Sequence, residues 1–379
     1  MQRTARTKPG REATPHRIAL FFHDLGIGGA ERVMLQLAHG FIEAGHPVDL
    51  ILARAEGPLR SELPPKVRVI DFDTANPLTM LVRLMRYLRA ERPKALLSPF
   101  EVTSVIAIAA KKITGVSTRV VVRISVHLSQ NKRPKRWKKI LEQFVVSRMY
   151  PLADGIVTVS QGVAEDLAEY AGIPLDRIKV IFNPVLSDQL IKSAEQPVTH
   201  PFFGDRHCPV ILGVGRLTEQ KDFFTLIKAF DILRKKIPSR LIILGDGEER
   251  QHLEELIQGS GLQGLIDLPG FEINPFAFMK RASVFVLSSK WEGLPNVLIQ
   301  ALACGCPVVS TDCLSGPSEI LKSGEYGYLV PVGGAQAMAE AMEAALRGDI
   351  LQPPKSWLDQ FSLHDVIPQY EAVLGSGSL

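Results

Sequence analysis

Between Ala282 and Ser310 the chain passes through an apolar segment (Ala282–Leu287), a turn at Glu292-Gly293-Leu294-Pro295, a helical segment and a second apolar segment (Pro307–Ser310). A strand, a helix and a strand in so short a span form a crossover unit, which pairs its strands in parallel. This stretch therefore commits its part of the chain to a layered α/β fold. A proline at the start of a helix loses only an N–H that has no partner there. The helix after Pro295 thus opens with free amides and a positive dipole end, just beyond the carboxyl end of a strand. Such a place suits a phosphate. Glu292 stands at its mouth, and a carboxylate there makes sense if it contacts something else, for which a sugar hydroxyl is the natural candidate.

The same alternation fills the rest of the chain. Arg17–Phe22, Val48–Leu52, Val67–Asp73, Ala95–Leu97, Arg119–Ile124, Ala153–Ser160 and Ile178–Asn183 read as strands, with helical segments between them. In the second half Val210–Arg216, Arg240–Leu244, Leu265–Leu268, Ala282–Leu287 and Pro307–Ser310 do the same. Residues 185–209 carry prolines and glycines without periodicity and read as a linker. At 379 residues the chain exceeds one ordinary core. The expected architecture is α/β, with two doubly wound, Rossmann-like domains facing across a cleft. Residues 1–16 read as a disordered tail, 17–187 as the first domain, 188–209 as linker and 210–356 as the second domain. The amphipathic segment 357–374 is long enough to cross back and complete the first.

Charge is unevenly spread. Residues 1–187 hold 28 Lys and Arg against 17 Asp and Glu, while the remainder holds 16 against 23. The first half therefore favours an anionic partner. No apolar run approaches the ~18 residues of a membrane helix, and the basic stretch before His16 lacks the apolar core of a secretory signal. The cysteines, Cys208, Cys304, Cys306 and Cys313, have no zinc-like spacing and read as buried thiols.

Several local signals bear on chemistry. The turn around Gly26, Gly28 and Gly29 after the first strand would let backbone amides approach a ligand closely. It misses the third glycine of a dinucleotide fingerprint, and Arg54 stands where an acidic residue would hold a ribose, which argues against nicotinamide. Asp71 and Asp73 form an Asp-x-Asp that reads as two solvated loop carboxylates rather than a metal site. Arg83, Arg86, Arg89 and Arg92 recur on one side of a helical segment. His127 follows a strand's carboxyl end, where open α/β sheets place their ligands; position alone leaves it as easily structural as functional. Lys132, Arg133, Lys135, Arg136 and Trp137 precede Ile140, Leu141 and Phe144. That pattern fits an interfacial contact with an anionic membrane, a nucleic-acid patch or a solvated charge run. Arg216 and Lys221 follow one strand in one loop and could neutralise one diphosphate, the first as a fork and the second as a point charge.

Together these motifs resemble the retaining glycosyltransferases of family 4, with the GT-B fold. The matching segments are Gly28–Arg32, Val157–Ser160, Phe182–Pro184, Gly215–Lys221, Leu244–Gly247 and Trp291–Gly305, in order along nearly the entire chain. The resemblance implies a metal-independent hexosyltransferase with no resident cofactor, using a nucleotide-sugar donor, most often a UDP-sugar. The acceptor would be an oligosaccharide or lipid-linked sugar of cell-surface polysaccharide or glycolipid synthesis, with no nucleic acid involved. The protein would be cytoplasmic and peripheral on the inner membrane face. Arg216 and Lys221 would hold the donor diphosphate, Glu292 the sugar hydroxyls, and His127 would sit beside the reacting sugar. Gly28, Gly29, Gly215, Gly245, Phe271, Gly293, Leu294, Pro295, Asn296 and Val297 would complete the donor site. The family motif places a second Glu seven residues after the first; here it is Gln300, which keeps one acceptor oxygen for a ribose hydroxyl without the charge. A nucleotide-sugar epimerase of the same architecture, and a nucleotide-sugar sensor without turnover, are the rival readings.

Overall fold

A computed structural model describes residues 16–26, 28–130, 136–205 and 207–375, with the side chains of 136–138 also outside it. The expectations for the tail before His16 and for Lys132, Arg133, Lys135 and the side chains of Arg136 and Trp137 lie outside the described residues.

Thirteen strands are described. They are β1 (Ile18–Phe22), β2 (Val48–Leu52), β3 (Arg68–Asp71), β4 (Ala95–Ser98), β5 (Arg119–Ile124), β6 (Gly155–Thr158) and β7 (Ile178–Val180), then β8 (Val210–Val214), β9 (Arg240–Leu244), β10 (Ile266–Gly270), β11 (Val284–Leu287), β12 (Val308–Thr311) and β13 (Tyr328–Val330). The first seven form one sheet in the order β3-β2-β1-β4-β5-β6-β7, the other six a second in the order β10-β9-β8-β11-β12-β13. All neighbours in the second sheet pair in parallel. So do β1 with β2 and β4, β2 with β3, and β4 with β5. Strands covered on both faces read as unbroken apolar runs, as Ile18–Phe22 does, buried throughout. In each sheet the order reverses beside its first strand, next to β4 in one and β11 in the other. Such a switch point opens the crevice where ligands bind.

The helices of the first half are α1 (Gly29–Glu43), α2 (Pro77–Glu91), α3 (Glu101–Thr114), α4 (Arg136–Met149), α5 (Gln161–Ala171) and α6 (Asp188–Ala194). Those of the second half are α7 (Phe223–Leu233), α8 (Arg250–Gly259), α9 (Pro275–Arg281), α10 (Asn296–Ala303), α11 (Pro317–Ile320), α12 (Ala335–Leu346), α13 (Lys355–Leu358) and α14 (Leu363–Leu374). Residues 185–209 are not wholly irregular. Ser187 caps α6 by accepting the Leu190 amide at 3.2 Å, so a single side chain starts a helix that periodicity does not reveal. Strand β10 continues through Pro269 and Gly270, expected as a turn. As the edge strand it tolerates a residue with no N–H to donate.

The chain divides into two compact units. One holds the chain through Arg123, Phe144–Val157 and the end from Ile367; the other holds Ile124–Gln143 and Thr158–Val366. In the first, Asp49 of β2 is fully buried. It accepts hydrogen bonds from Arg17 at 2.6 Å, from Tyr87 at 2.7 Å and from Arg68. Burial alone would raise its pKa, but these partners outweigh burial and hold the carboxyl below its ordinary value. The end of the chain belongs here: the Tyr370 hydroxyl accepts from buried Arg123 at 3.1 Å, and Glu371 meets His46 at 2.8 Å. In the second unit Phe223, Leu226 and Phe230 of α7 pack with Ile211, Leu241 and Val284 of the sheet and Met338 and Met342 of α12.

Candidate active site

The switch point of the second sheet brings together the loop after β8 and the loop after β11. Gly215 and Arg216 follow β8, and Glu292–Pro295 follow β11. Three hydrogen bonds lace the loops: Ser288 Oγ to the Lys221 carbonyl at 2.7 Å, the Lys290 amide to the Gln220 carbonyl at 2.8 Å, and Gln220 Nε2 to the Trp291 carbonyl at 2.8 Å. The turn after β9 presses in from the side. Gly245 has φ +138°, and a Cβ there would lie 1.9 Å from the Gly215 carbonyl oxygen, so only glycine fits.

Lys221 and Glu292 meet inside this junction. Lys221 Nζ lies 2.5 Å from Glu292 Oε1, and the Ser289 hydroxyl donates to the same oxygen at 2.7 Å. The two side chains are 17% and 9% exposed. The sequence suggested that Lys221 and Arg216 jointly face an anion while Glu292 faces a sugar. In the structure Lys221 is paired with Glu292 and neutralises it. Arg216 is exposed, and its side chain makes no ion pair with a described residue. The arrangement therefore holds one uncommitted guanidinium and one ammonium that can be shared between a carboxylate and an incoming anion.

Helix α10 opens at Asn296, with Pro295 as its N-cap residue rather than inside its first turn. The first amides, those of Asn296 and Val297, point out of the helix end without intrahelical acceptors. Leu294 is buried. The Asn296 side chain is itself held, accepting from Asn183 Nδ2 at 2.7 Å. Gln300, one turn on, is half-buried, and its side-chain amide hydrogen-bonds to no described residue. Phe271, just after β10, is exposed.

His127 is 8% exposed and touches the same loop. Its Nε2 lies 2.6 Å from Ser315 Oγ, and that oxygen is 3.1 Å from the Glu292 carbonyl and 3.2 Å from the Gly293 carbonyl. Gly293 is needed here for space: a Cβ would fall 2.0 Å from the Ser125 carbonyl oxygen. Ser160, N-cap of α5, accepts from the Val163 amide and donates to the Gly293 carbonyl at 2.7 Å. Ser315, Asp166 and Ser289 were not singled out from sequence, because an isolated serine or a helix-borne Asp carries no local signal. Ser160 and Asn183 lay within quoted motifs but without a role.

Gly28 and Gly29 lie in the first unit, at the start of α1 and beyond β1. Gly28 is the N-cap residue in extended conformation, and the Glu31 carboxylate lies against it. Nearby, a hollow of about 350 Å³ is lined by Asp24, Gly26, Arg54, Glu56 and Gly57. Asp71 and Asp73 are exposed, and the Asp73 amide donates to Asp71 Oδ1 at 2.7 Å in a turn. Among the described residues no three His, Cys, Asp or Glu are grouped to hold a metal ion. Cys304, Cys306 and Cys313 are buried free thiols, whereas Cys208, expected to be buried, is half-exposed. Burial pushes Cys304 up to about 11 and Cys313 to about 12, out of the reactive range. No helix among the described residues is long and apolar enough to cross a membrane.

Two doubly wound sheets with this junction at a switch point define the GT-B class of glycosyltransferase folds. Solved structures agree: Anabaena Alr3699/HepE in complex with UDP-glucose has a TM-score of 0.76 at 20% identity, covering 96% of this chain and 100% of that one. The lipopolysaccharide outer core galactosyltransferase WaaB has a TM-score of 0.74 at 19% identity, covering 95% and 99%. The family model for glycosyltransferase family 4 matches residues 27–189, and that for glycosyl transferases group 1 matches residues 204–356. Between them they account for both halves, and the chain belongs to the family 4 glycosyltransferases. Among curated relatives, an N-acetylgalactosamine-N,N'-diacetylbacillosaminyl-diphospho-undecaprenol 4-alpha-N-acetylgalactosaminyltransferase of Campylobacter jejuni is 29% identical over 346 residues, covering 89% of this chain and 92% of its own.

Proposed function

We propose that this glycosyltransferase is a retaining, metal-independent hexosyltransferase. It moves a sugar from a UDP-type donor to a lipid-linked or oligosaccharide acceptor in cell-surface polysaccharide or glycolipid synthesis. The observation that carries the reading is the junction of Arg216, Lys221 and Glu292 at the switch point, beside the opening amides of α10. Arg216 and Lys221 hold the diphosphate, and the α10 amides add hydrogen bonds to it. Glu292 receives the sugar hydroxyls as Lys221 turns toward phosphate. His127 stands beside the sugar, and Gln300 reaches the ribose. Gly28, Gly29, Gly215, Gly245 and Phe271 complete the donor's surroundings.

In the reaction, the bond from the anomeric carbon to the β-phosphate oxygen breaks while the acceptor oxygen bonds to the same face. The acceptor's proton passes to the departing phosphate oxygen. The protein's part is to stabilise the leaving diphosphate, so the positive side chains supply what a metal would supply elsewhere, and the nucleotide sugar is a cosubstrate rather than a resident cofactor. The donor class is supported by the UDP-glucose in the Anabaena structure, and the lipid-linked acceptor by the diphospho-undecaprenol in the Campylobacter enzyme's name. Attachment to an anionic membrane face is supported by α4, which exposes Ile140, Leu141 and Phe144 just after the basic residues Lys132–Arg136. These residues make nucleic acid the poorer partner.

The test is incubation of purified protein with UDP-glucose, UDP-galactose, UDP-N-acetylglucosamine and UDP-N-acetylgalactosamine, reading UDP release. Slow release from one of them is expected, and Arg216→Ala and Lys221→Ala should abolish it. Interconversion of the sugars without UDP release would establish the epimerase reading; binding without either would leave a sensor. Flotation with vesicles containing phosphatidylglycerol tests the membrane part. Neutralising Lys132, Arg133, Lys135 and Arg136 together should release the protein, and unchanged flotation would sink that part.

A further inference from the structure

His127 is held from behind by a group that the reaction above does not use. Its Nδ1 lies 3.4 Å from Asp166 Oδ1, and the two side chains are 6% and 8% exposed. Asp166 belongs to α5, and its other carboxylate oxygen accepts the Leu128 amide at 2.7 Å and the Ser129 amide at 3.3 Å. One carboxylate thus grips the imidazole and both backbone amides that follow it. Burial by itself pushes the Asp166 carboxyl up, but the hydrogen bonds from His127 and Ser129 outweigh it and hold the group below its ordinary value. It is an anion at neutral pH.

An acceptor-only carboxylate opposite Nδ1 favours a hydrogen on that nitrogen, and in that tautomer Nε2 is the lone-pair acceptor. In the structure Nε2 faces the Ser315 hydroxyl at 2.6 Å, closer than the Glu292 and Gly293 carbonyls at 3.1 and 3.2 Å that compete for the same hydroxyl hydrogen. Ser315 is held there in left-handed backbone, with φ +54°. It is a hydroxyl parked in front of the ring, of the same chemistry as a sugar hydroxyl.

We infer that Asp166 is a positioning residue for His127: it fixes the ring with Nδ1 protonated, so that a donor-sugar hydroxyl taking the place of Ser315 meets an acceptor at Nε2. The inference rests on the proposed role of His127 beside the donor sugar. A purely structural role would need only the two amide contacts, and Asp166→Asn separates the two. Its carboxamide oxygen still accepts from Leu128 and Ser129, while its NH2 donates to Nδ1 and drives the hydrogen to Nε2.

Two readouts decide it. The first, long-range ¹H–¹⁵N correlation of the His127 ring, needs no substrate. The wild type should show the Nδ1–H form and Asp166→Asn the Nε2–H form. The second is UDP release from whichever of the four UDP-sugars is turned over fastest. In Asp166→Asn kcat should fall about tenfold or more, as when partners that orient a functional histidine are removed. The KM for the donor should stay within about threefold, while the double variant with His127→Ala should be no slower than His127→Ala alone. An unchanged tautomer, or a kcat within twofold of wild type while His127→Ala is slow, overturns the role of Asp166. Wild-type turnover by His127→Ala overturns instead the reading of His127 on which it rests.

Discussion

At the scale of single residues, the ion pair between Lys221 and Glu292 carries two duties that compete. At 2.5 Å and largely enclosed, each charge is the other's solvation. Removing one leaves the other partly buried without a counter-charge, so Lys221→Met and Glu292→Gln should each cost about 1–3 kcal/mol of stability. The double variant should recover part of that loss, measured by calorimetric melting, yet release no UDP from the sugar panel. If the double variant is active, the pair is only structural. Gln300 is the other residue to change. Its half-buried, uncommitted amide leaves room for the carboxylate that the family motif expects. Gln300→Glu should retain or tighten donor binding in calorimetric titration with UDP, and a large loss of affinity would remove Gln300 from the donor site. Arg216 was legible as a candidate because it follows a strand end. The commitment of Lys221 was not, since nothing near it in the chain says what its ammonium meets.

At the scale of elements, short apolar runs bounded by glycine, proline or charge marked their strands to the residue: β2, β5 and β9 begin and end where expected. A strand buried on both faces leaves no alternative for such a run. Helix α6 and the short β13 and α11 were not legible, because three to seven residues are too few to show a period. Their ends depend on one cap or one sheet neighbour. The loop after β11 depends on contact rather than period. Gly293 lies where a Cβ would meet a backbone oxygen at 2.0 Å, so Gly293→Ala must push this loop from the Ser125–His127 turn. Overpacking of that kind costs about 1–3 kcal/mol. The variant should melt several degrees lower and release UDP at least tenfold more slowly. Wild-type melting and turnover together would show that the loop has slack.

Across the whole molecule, stability should depend on acid in a definite direction. Burial would raise Asp49, Asp154 and Asp166, but hydrogen bonds, joined at the first two by neighbouring cations, outweigh it and hold all three below the ordinary carboxyl value of 3.8. As pH falls, the unfolded chain takes up these protons first, so their contribution is full above the unfolded value and is lost through the folded values. The melting temperature should stay level from about pH 7 to pH 5 and drop progressively below about pH 4. Asp49→Asn should lower it at neutral pH and flatten the acid slope. A melting temperature that rises with acid would reverse the sign of these interactions.

What the sequence determined by itself was the succession of strands and helices, and hence two doubly wound sheets. Both rest on local periodicity, which records which face of each element is buried. It also located the reactive region, because glycine, proline and charge at strand ends are local marks. What only the tertiary structure decided was the pairing: Lys221 with Glu292, 71 residues apart, and His127 with Ser315, 188 residues apart. Such pairs depend on which loops pack against one another, and no period in the chain encodes which side chains meet there.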